Sequence, residues 1–212
     1  MFDGMRALSA PDIDDASRSC KPFSLNRSGL VLGEGAAFLV LEREDKAIAR
    51  GAKIYGYIIG YGVASDGHHI GMPHPVGQAT AMRAALDDAG LDPSDIDYLN
   101  AHATATKSGD IVETTAIHSV FGEGGGQVLV SSTKSVHGHL LGAAGALELL
   151  ITVVAMKDCV IPATAHLDQP DSQCALNHVA NKPLLGSAIE RAMSFSSGFG
   201  GTNAALIVSK HG

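Results

Sequence analysis

Residues 131–146 read SSTKSVHGHLLGAAGA. Lys134, His137 and His139 crowd together, and the chain then drops into Gly142, Ala143, Ala144, Gly145 and Ala146. The run HLLGAAGALELLITVVAMK predicts one long helix over residues 139–157. Glycine inside a helix costs about 1 kcal/mol relative to alanine, a cost tolerated where another backbone must come close. The stretch therefore predicts a helix buried between layers. Its first turn points unpaired N–H groups and a positive dipole end at whatever lies in front. His139 falls at that end, which disfavours the imidazolium and keeps the ring neutral. A neutral imidazole can donate one hydrogen bond to a developing enolate or oxyanion.

Outward from this helix, strand-like and helix-like runs alternate. KIYGYIIGYGVAS, DIDYLNAH, QVLVSST, AIERAMSFSS and TNAALIVSK read as strands. REDKAIARG, GQATAMRAALDDAG and DIVETTAIHSVFG read as helices, the first two closed by Gly51 and Gly90. LVLGEGAAFLVLE, residues 30–42, is apolar with β-branched residues and predicts a buried strand or hairpin. MFDGMRALS predicts a short helix, and residues 10–29 a loop. This alternation predicts an α/β protein with a layered sheet.

Composition limits the function classes. The 212 residues are 45% hydrophobic and 17% charged, an ordinary globular balance. A formal charge of −7 argues against bulk electrostatic binding to nucleic acid or anionic membrane. Three cysteines make no disulfide framework and fit a reducing cytoplasm. No apolar run reaches the roughly 18–20 residues of a membrane span, and the first residues do not read as a signal peptide.

Two further segments carry chemistry. NAHATATKSGD, residues 100–110, places His102 at the C-terminal end of a strand, where α/β sites form. Thr104 and Thr106 follow with hydroxyls for a polar substrate chain. SGFGGTN, residues 197–203, is a glycine-rich turn able to present backbone N–H groups. His68, His69 and His74 fit no familiar metal spacing, and FGEGGGQ lacks the Lys-Ser/Thr of a phosphate loop. No metal site is expected.

PFSLNRSGLVLGEGAAFLVLE, NAHATATKSGD, SSTKSVHGHLLGAAGALE and SGFGGTNAALIV resemble, in order, the signature segments of β-ketoacyl-acyl-carrier-protein synthases. The likeness is to elongating condensing enzymes with a Cys-His-His site. It implies a thiolase-like layered α/β fold, of which this chain holds the second half plus the last part of the first. Residues 1–52 would end the N-terminal half and residues 53–212 form the C-terminal half. The resemblance assigns His102 and His139 to the malonyl thioester and its enolate, and pairs Lys134 with Glu148. It makes Phe199 the acyl-pocket gate and an oxyanion N–H donor. Thr104 and Thr106 match the threonines that bind the phosphopantetheine arm, and Gly198 and Gly200 fall in the same substrate-binding loop. No intrinsic cofactor is implied, since the carrier protein brings the phosphopantetheine.

Departures from the family pattern are Ala103 and Ala105, His137 in place of a frequent threonine, Ser28 in RSG, and Ser197 where phenylalanine is common. A larger one is the nucleophilic cysteine, whose TACSS-like elbow is not in this sequence. Cys20, Cys159 and Cys174 lack the cationic or helix-start context of a reactive thiolate. Two functions follow: a condensing-enzyme portion that works with a separate cysteine-bearing N-terminal portion and an acyl carrier protein, or a non-catalytic scaffold for such proteins. A homo- or hetero-oligomer is expected in either case.

Overall fold

The computed structural model describes Phe2, Gly4 and residues 6–212. Its centre is a five-stranded mixed sheet. In chain order the strands are β1 (Tyr57–Ser65), β2 (Tyr98–Asn100), β3 (Leu129–Ser131), β6 (Arg191–Gly198) and β7 (Thr202–Ser209). A separate two-stranded ribbon pairs β4 (Val160–Ile161) with β5 (Leu184–Leu185). Across the main sheet the order is β1-β7-β6-β2-β3. β7 is antiparallel to both β1 and β6, whereas β2 runs parallel to β6 and β3.

The period-two rule of strands sorts the core into two faces. Leu99, Met193, Phe195, Ala205 and Ile207 point to one face. They pack on Met82, Ala85 and Leu86 of α2 (Pro75–Ala89) and on Ala116 and Ile117 of α3 (Lys107–Phe121). Their alternates Tyr98, Ala192 and Val208 face the other way. These meet Leu149, Ala155 and Met156 of α5 (Ala144–Asp158). The result is helix, sheet and helix in three layers, as the alternation predicts. Two short helices, α1 (Glu44–Ala49) and α4 (Lys134–His137), complete the set. Among the described residues no helix is long and apolar enough to cross a membrane.

β1 and α2 come unusually close. A Cβ added at Gly62 would lie 2.1 Å from the Ala81 carbonyl oxygen and 2.5 Å from the Ala85 nitrogen. Both are backbone atoms within a helix and cannot turn aside. Gly62→Ala should therefore destabilise the chain by about 1–3 kcal/mol, the usual range for overpacking. Denaturant unfolding followed by circular dichroism checks this; a change below about 0.5 kcal/mol would contradict the packing.

Two expectations need correction. The long helix does not begin at His139. Leu141 sits at φ 53° and a 3₁₀ turn spans Leu141–Ala143, so the α-helix starts only at Ala144. A Cβ at Gly142 would meet nothing within 4 Å, so the glycine there reflects this turn and not a crowded backbone. Residues 30–42 form no strand. Leu30 bridges Leu8 and Leu32 bridges His139, but no ladder continues beyond them. The side chains still alternate: Leu39 packs on the second core, whereas Phe38 is 88% and Val40 91% exposed. Strand-like residues form a strand only beside another strand, and none of the described residues supplies one here. The short helix expected over residues 1–9 falls partly outside the described residues.

Candidate active site

His102 leaves the sheet just after β2. Ala101 still donates to the Ser131 carbonyl at 2.9 Å, continuing the sheet pairing. The next two amides turn away and are captured by one side chain. Glu113 of α3 accepts from His102 N at 2.7 Å and from Ala103 N at 2.8 Å, one bond per carboxylate oxygen. Ser132 Oγ holds the Ala103 carbonyl at 2.8 Å. Ala105 takes a left-handed φ of 66°, which bends the loop back toward α3.

His139 is fixed from the other side. Its amide donates to the Val31 carbonyl at 2.7 Å, and Gly33 N donates to the His139 carbonyl at 3.1 Å. Residues 31–33 thus strap the histidine in place. A Cβ at Gly33 would lie 2.1 Å from the His137 carbonyl oxygen, so this strap requires glycine. The two imidazoles meet edge to face, with centroids 5.3 Å apart and planes at 88°.

Lys134 lies beneath them, 0% exposed, and pairs with Glu148 on α5, also 0% exposed. Burial pushes the Glu148 carboxyl up, and the Lys134 charge opposes this. The same ammonium works on the histidines. His102 is held well below its ordinary pKa, first by burial and then by Lys134 and His139. Burial, Lys134 and His137 bring His139 down to about 4. The neutral state expected for His139 is present, but its cause is burial and Lys134, not a helix dipole, because α5 begins five residues later. Glu113 is pushed up to about 8 by burial and by Asp110, against the pull of its two N–H donors and Lys134.

The sign of the pH effect follows. A histidine whose folded pKa lies below 6.5 stabilises the fold fully above 6.5, and that contribution is lost as pH falls toward the folded pKa. Glu113 and Asp110, raised to about 8 and about 6, act in the opposite sense, so the histidine is read as a difference: as pH drops from about 6.5 to about 4 the thermal midpoint of the native chain should fall relative to that of His139→Asn, in which both carboxyls are kept. Equal slopes for the two proteins would overturn the assignment.

Both histidines line a cavity of about 770 Å³. Thr104 and Thr106 line it too, their hydroxyls 3.3 Å apart. So do Gly198 and Phe199, with Phe199 stacked on Phe2 at 5.7 Å. Gly200 does not; its amide instead ties the loop to the Ile70 carbonyl at 2.8 Å, and Gly201 reaches the wall. His137 turns inward, with its ring nitrogens on Gly138 O and Thr133 Oγ1. His68 and His74 meet at 5.0 Å, while of the three histidines in that loop His69 alone lines the cavity, beside Ile70, Gly71 and Pro73. Among the described residues no three His, Cys, Asp or Glu side chains are placed to hold a metal.

No cysteine lines the cavity among the described residues. Burial raises the Cys20 and Cys174 thiols to about 11, opposite to what a nucleophile needs.

Sequence reasoning missed Glu113 and Gln78. Glu113 is one charge within the run DIVETTAIHSVFG, and the available clue is its place on the helix directly after the His102 loop. Gln78 lies inside an ordinary-looking amphipathic run and gives no local signal.

Residues 55–168 match the family described as Beta-ketoacyl synthase, C-terminal domain, and residues 1–47 match Beta-ketoacyl synthase, N-terminal domain. The chain is 47% identical over 211 residues to 3-oxoacyl-[acyl-carrier-protein] synthase 2 of Staphylococcus aureus (strain COL), covering 99% of this chain and 50% of that protein. It superposes on a Beta-ketoacyl synthase from Burkholderia phymatum STM815 with a TM-score of 0.93 and 41% identity, covering 98% of this chain and 50% of that one. A second structure, a type II PKS acyl-carrier protein in complex with its ketosynthase bound to the hexaketide, gives 0.94 and 32%, covering 98% and 51%. The chain spans about half the length of the curated relatives it matches. The three-layer unit is thus part of the thiolase-like ketosynthase fold, and the chain belongs to the β-ketoacyl synthase family.

Proposed function

We propose that this chain supplies the two-histidine part of a decarboxylating condensation site in fatty acid or polyketide synthesis. The observation that carries the reading is the pair of neutral imidazoles meeting at 5.3 Å on one cavity wall. A malonyl thioester carbonyl placed between them would accept N–H bonds from both rings. As the carboxylate leaves as carbon dioxide, the C–C bonding pair moves into the thioester and forms an enolate. The rings donate to that oxygen, and neutral donors in a dry site suit a charge that appears only in the transition state. The enolate carbon then attacks an acyl thioester, and the thiolate leaves.

Lys134 and Glu148 hold the field that keeps both rings neutral. Phe199 gates the acyl side and lends its backbone N–H. Thr104, Thr106 and Gly198 border the route of the phosphopantetheine arm carried by the substrate's acyl carrier protein, and Gly200 holds the Gly198 loop through its bond to Ile70; the protein itself needs no resident cofactor. The acyl-bearing thiol comes from an N-terminal ketosynthase portion, with residues 1–52 the end of the N-terminal half and residues 53–212 the C-terminal half.

The test mixes the chain with a cysteine-bearing N-terminal portion and malonyl-carrier protein and measures carbon dioxide release. Release that needs both components supports the reading. A stable mixed complex without release would favour the scaffold instead.

A further inference from the structure

Gln78 is 2% exposed and borders the cavity beside Ser197. Its amide is poorly satisfied. Nε2 donates to Ser197 Oγ at a long 3.4 Å, and Oε1 has no partner among the described residues. The hydroxyl of Ser197 donates to Asn203 Oδ1 at 2.8 Å, and Asn203 Nδ2 donates to Asp66 Oδ1 at 2.7 Å. This chain of bonds orients the amide. With its proton given to Asn203, Ser197 can only accept, so the NH₂ end must face it. What remains open is an acceptor, Oε1.

Buried polar atoms in native proteins are nearly always paired, and an exception on a cavity wall points to what fills the cavity. The missing partner is a neutral hydrogen-bond donor. A cation is disfavoured because an uncompensated charge buried at this wall would cost far more than one amide oxygen returns. We propose that Gln78, oriented through Ser197, is a specificity-determining residue that accepts a hydrogen bond from an O–H or N–H of the bound thioester. Two sources fit this chemistry: a hydroxyl on the acyl chain and an amide N–H of the pantetheine arm. Ser197 adjoins Gly198 and Phe199, so the acyl chain is the nearer of the two. This rests on the thioester-binding reading of the cavity.

The experiment titrates the 212-residue chain and its Gln78→Met variant with octanoyl-pantetheine and 3-hydroxyoctanoyl-pantetheine by calorimetry. The native chain should bind the hydroxyacyl ligand about three- to tenfold more tightly, the effect of one neutral hydrogen bond. Gln78→Met should erase that preference. Its thermal midpoint should stay level or rise, because an apolar isostere replaces an unsatisfied amide. A similar loss for both ligands in the variant would assign the donor to the arm amide instead. Unchanged affinities, or a variant that unfolds more easily, would overturn the proposal and make the amide structural. Binding of neither ligand to the native chain would overturn the thioester reading itself, whereas equal binding of both ligands by both proteins would sink only this inference.

Discussion

Lys134→Ala should destabilise the chain by about 3–5 kcal/mol, the usual cost of leaving one member of a buried ion pair alone. Both partners are 0% exposed, and Glu148 Oε2 already has no hydrogen-bond partner among the described residues. Without the ammonium, Glu148 must stay charged in a dry interior or take up a proton. Its carboxyl is already pushed upward by burial, so it will protonate, and the deficit should shrink in mild acid. The double variant Lys134→Met/Glu148→Leu should recover most of the loss, since well-packed apolar pairs often replace buried ion pairs without penalty. For a chain of this size each kcal/mol moves the thermal midpoint by about 2–4 °C, so the single variant should melt well over 5 °C lower. A Lys134→Ala chain within 1 kcal/mol of the parent in denaturant unfolding would show that the pair is not buried as described.

The second large effect concerns chemistry. With a cysteine-bearing portion supplied, His102→Ala and His139→Ala should each slow malonyl decarboxylation by about 10²–10³-fold, the typical cost of deleting one preorganised oxyanion donor. The two losses should not multiply. The rings touch and serve one oxygen, and groups acting as a unit are strongly non-additive. His139→Asn retains an N–H donor and should keep part of the rate. Rates within tenfold of the parent for both alanine variants, measured as carbon dioxide release, would remove the histidines from the proposed mechanism.

The layered α/β class was legible because period-two strands and capped helices are local signals. Gly90, at φ 65°, ends α2 where the pattern stops. The same logic misjudged residues 30–42, whose pattern is that of a strand but whose partner is not a local matter. It also ran helix through residues 139–143, because an apolar, alanine-rich run hides a turn at Leu141. The histidines were legible as motif residues. The neutrality of His139 was anticipated for the wrong reason and that of His102 not at all, since burial and Lys134 act through space and leave no mark in spacing. Glu113 and Gln78 escaped notice because their importance lies in what they face.

The two histidine loops share one construction: neither is held by its own neighbours. His102 rests on Glu113 and, through Ala101 and Ala103, on Ser131 and Ser132; His139 rests on Val31 and Gly33. A site built this way resists transplantation. Copying NAHATAT and SVHGH onto another scaffold would move the imidazoles but leave behind the carboxylate, the strap and the buried ammonium. Grafting the chemistry would mean grafting supports drawn from four separate stretches of chain, which makes the smallest portable unit of this site close to the whole layered body.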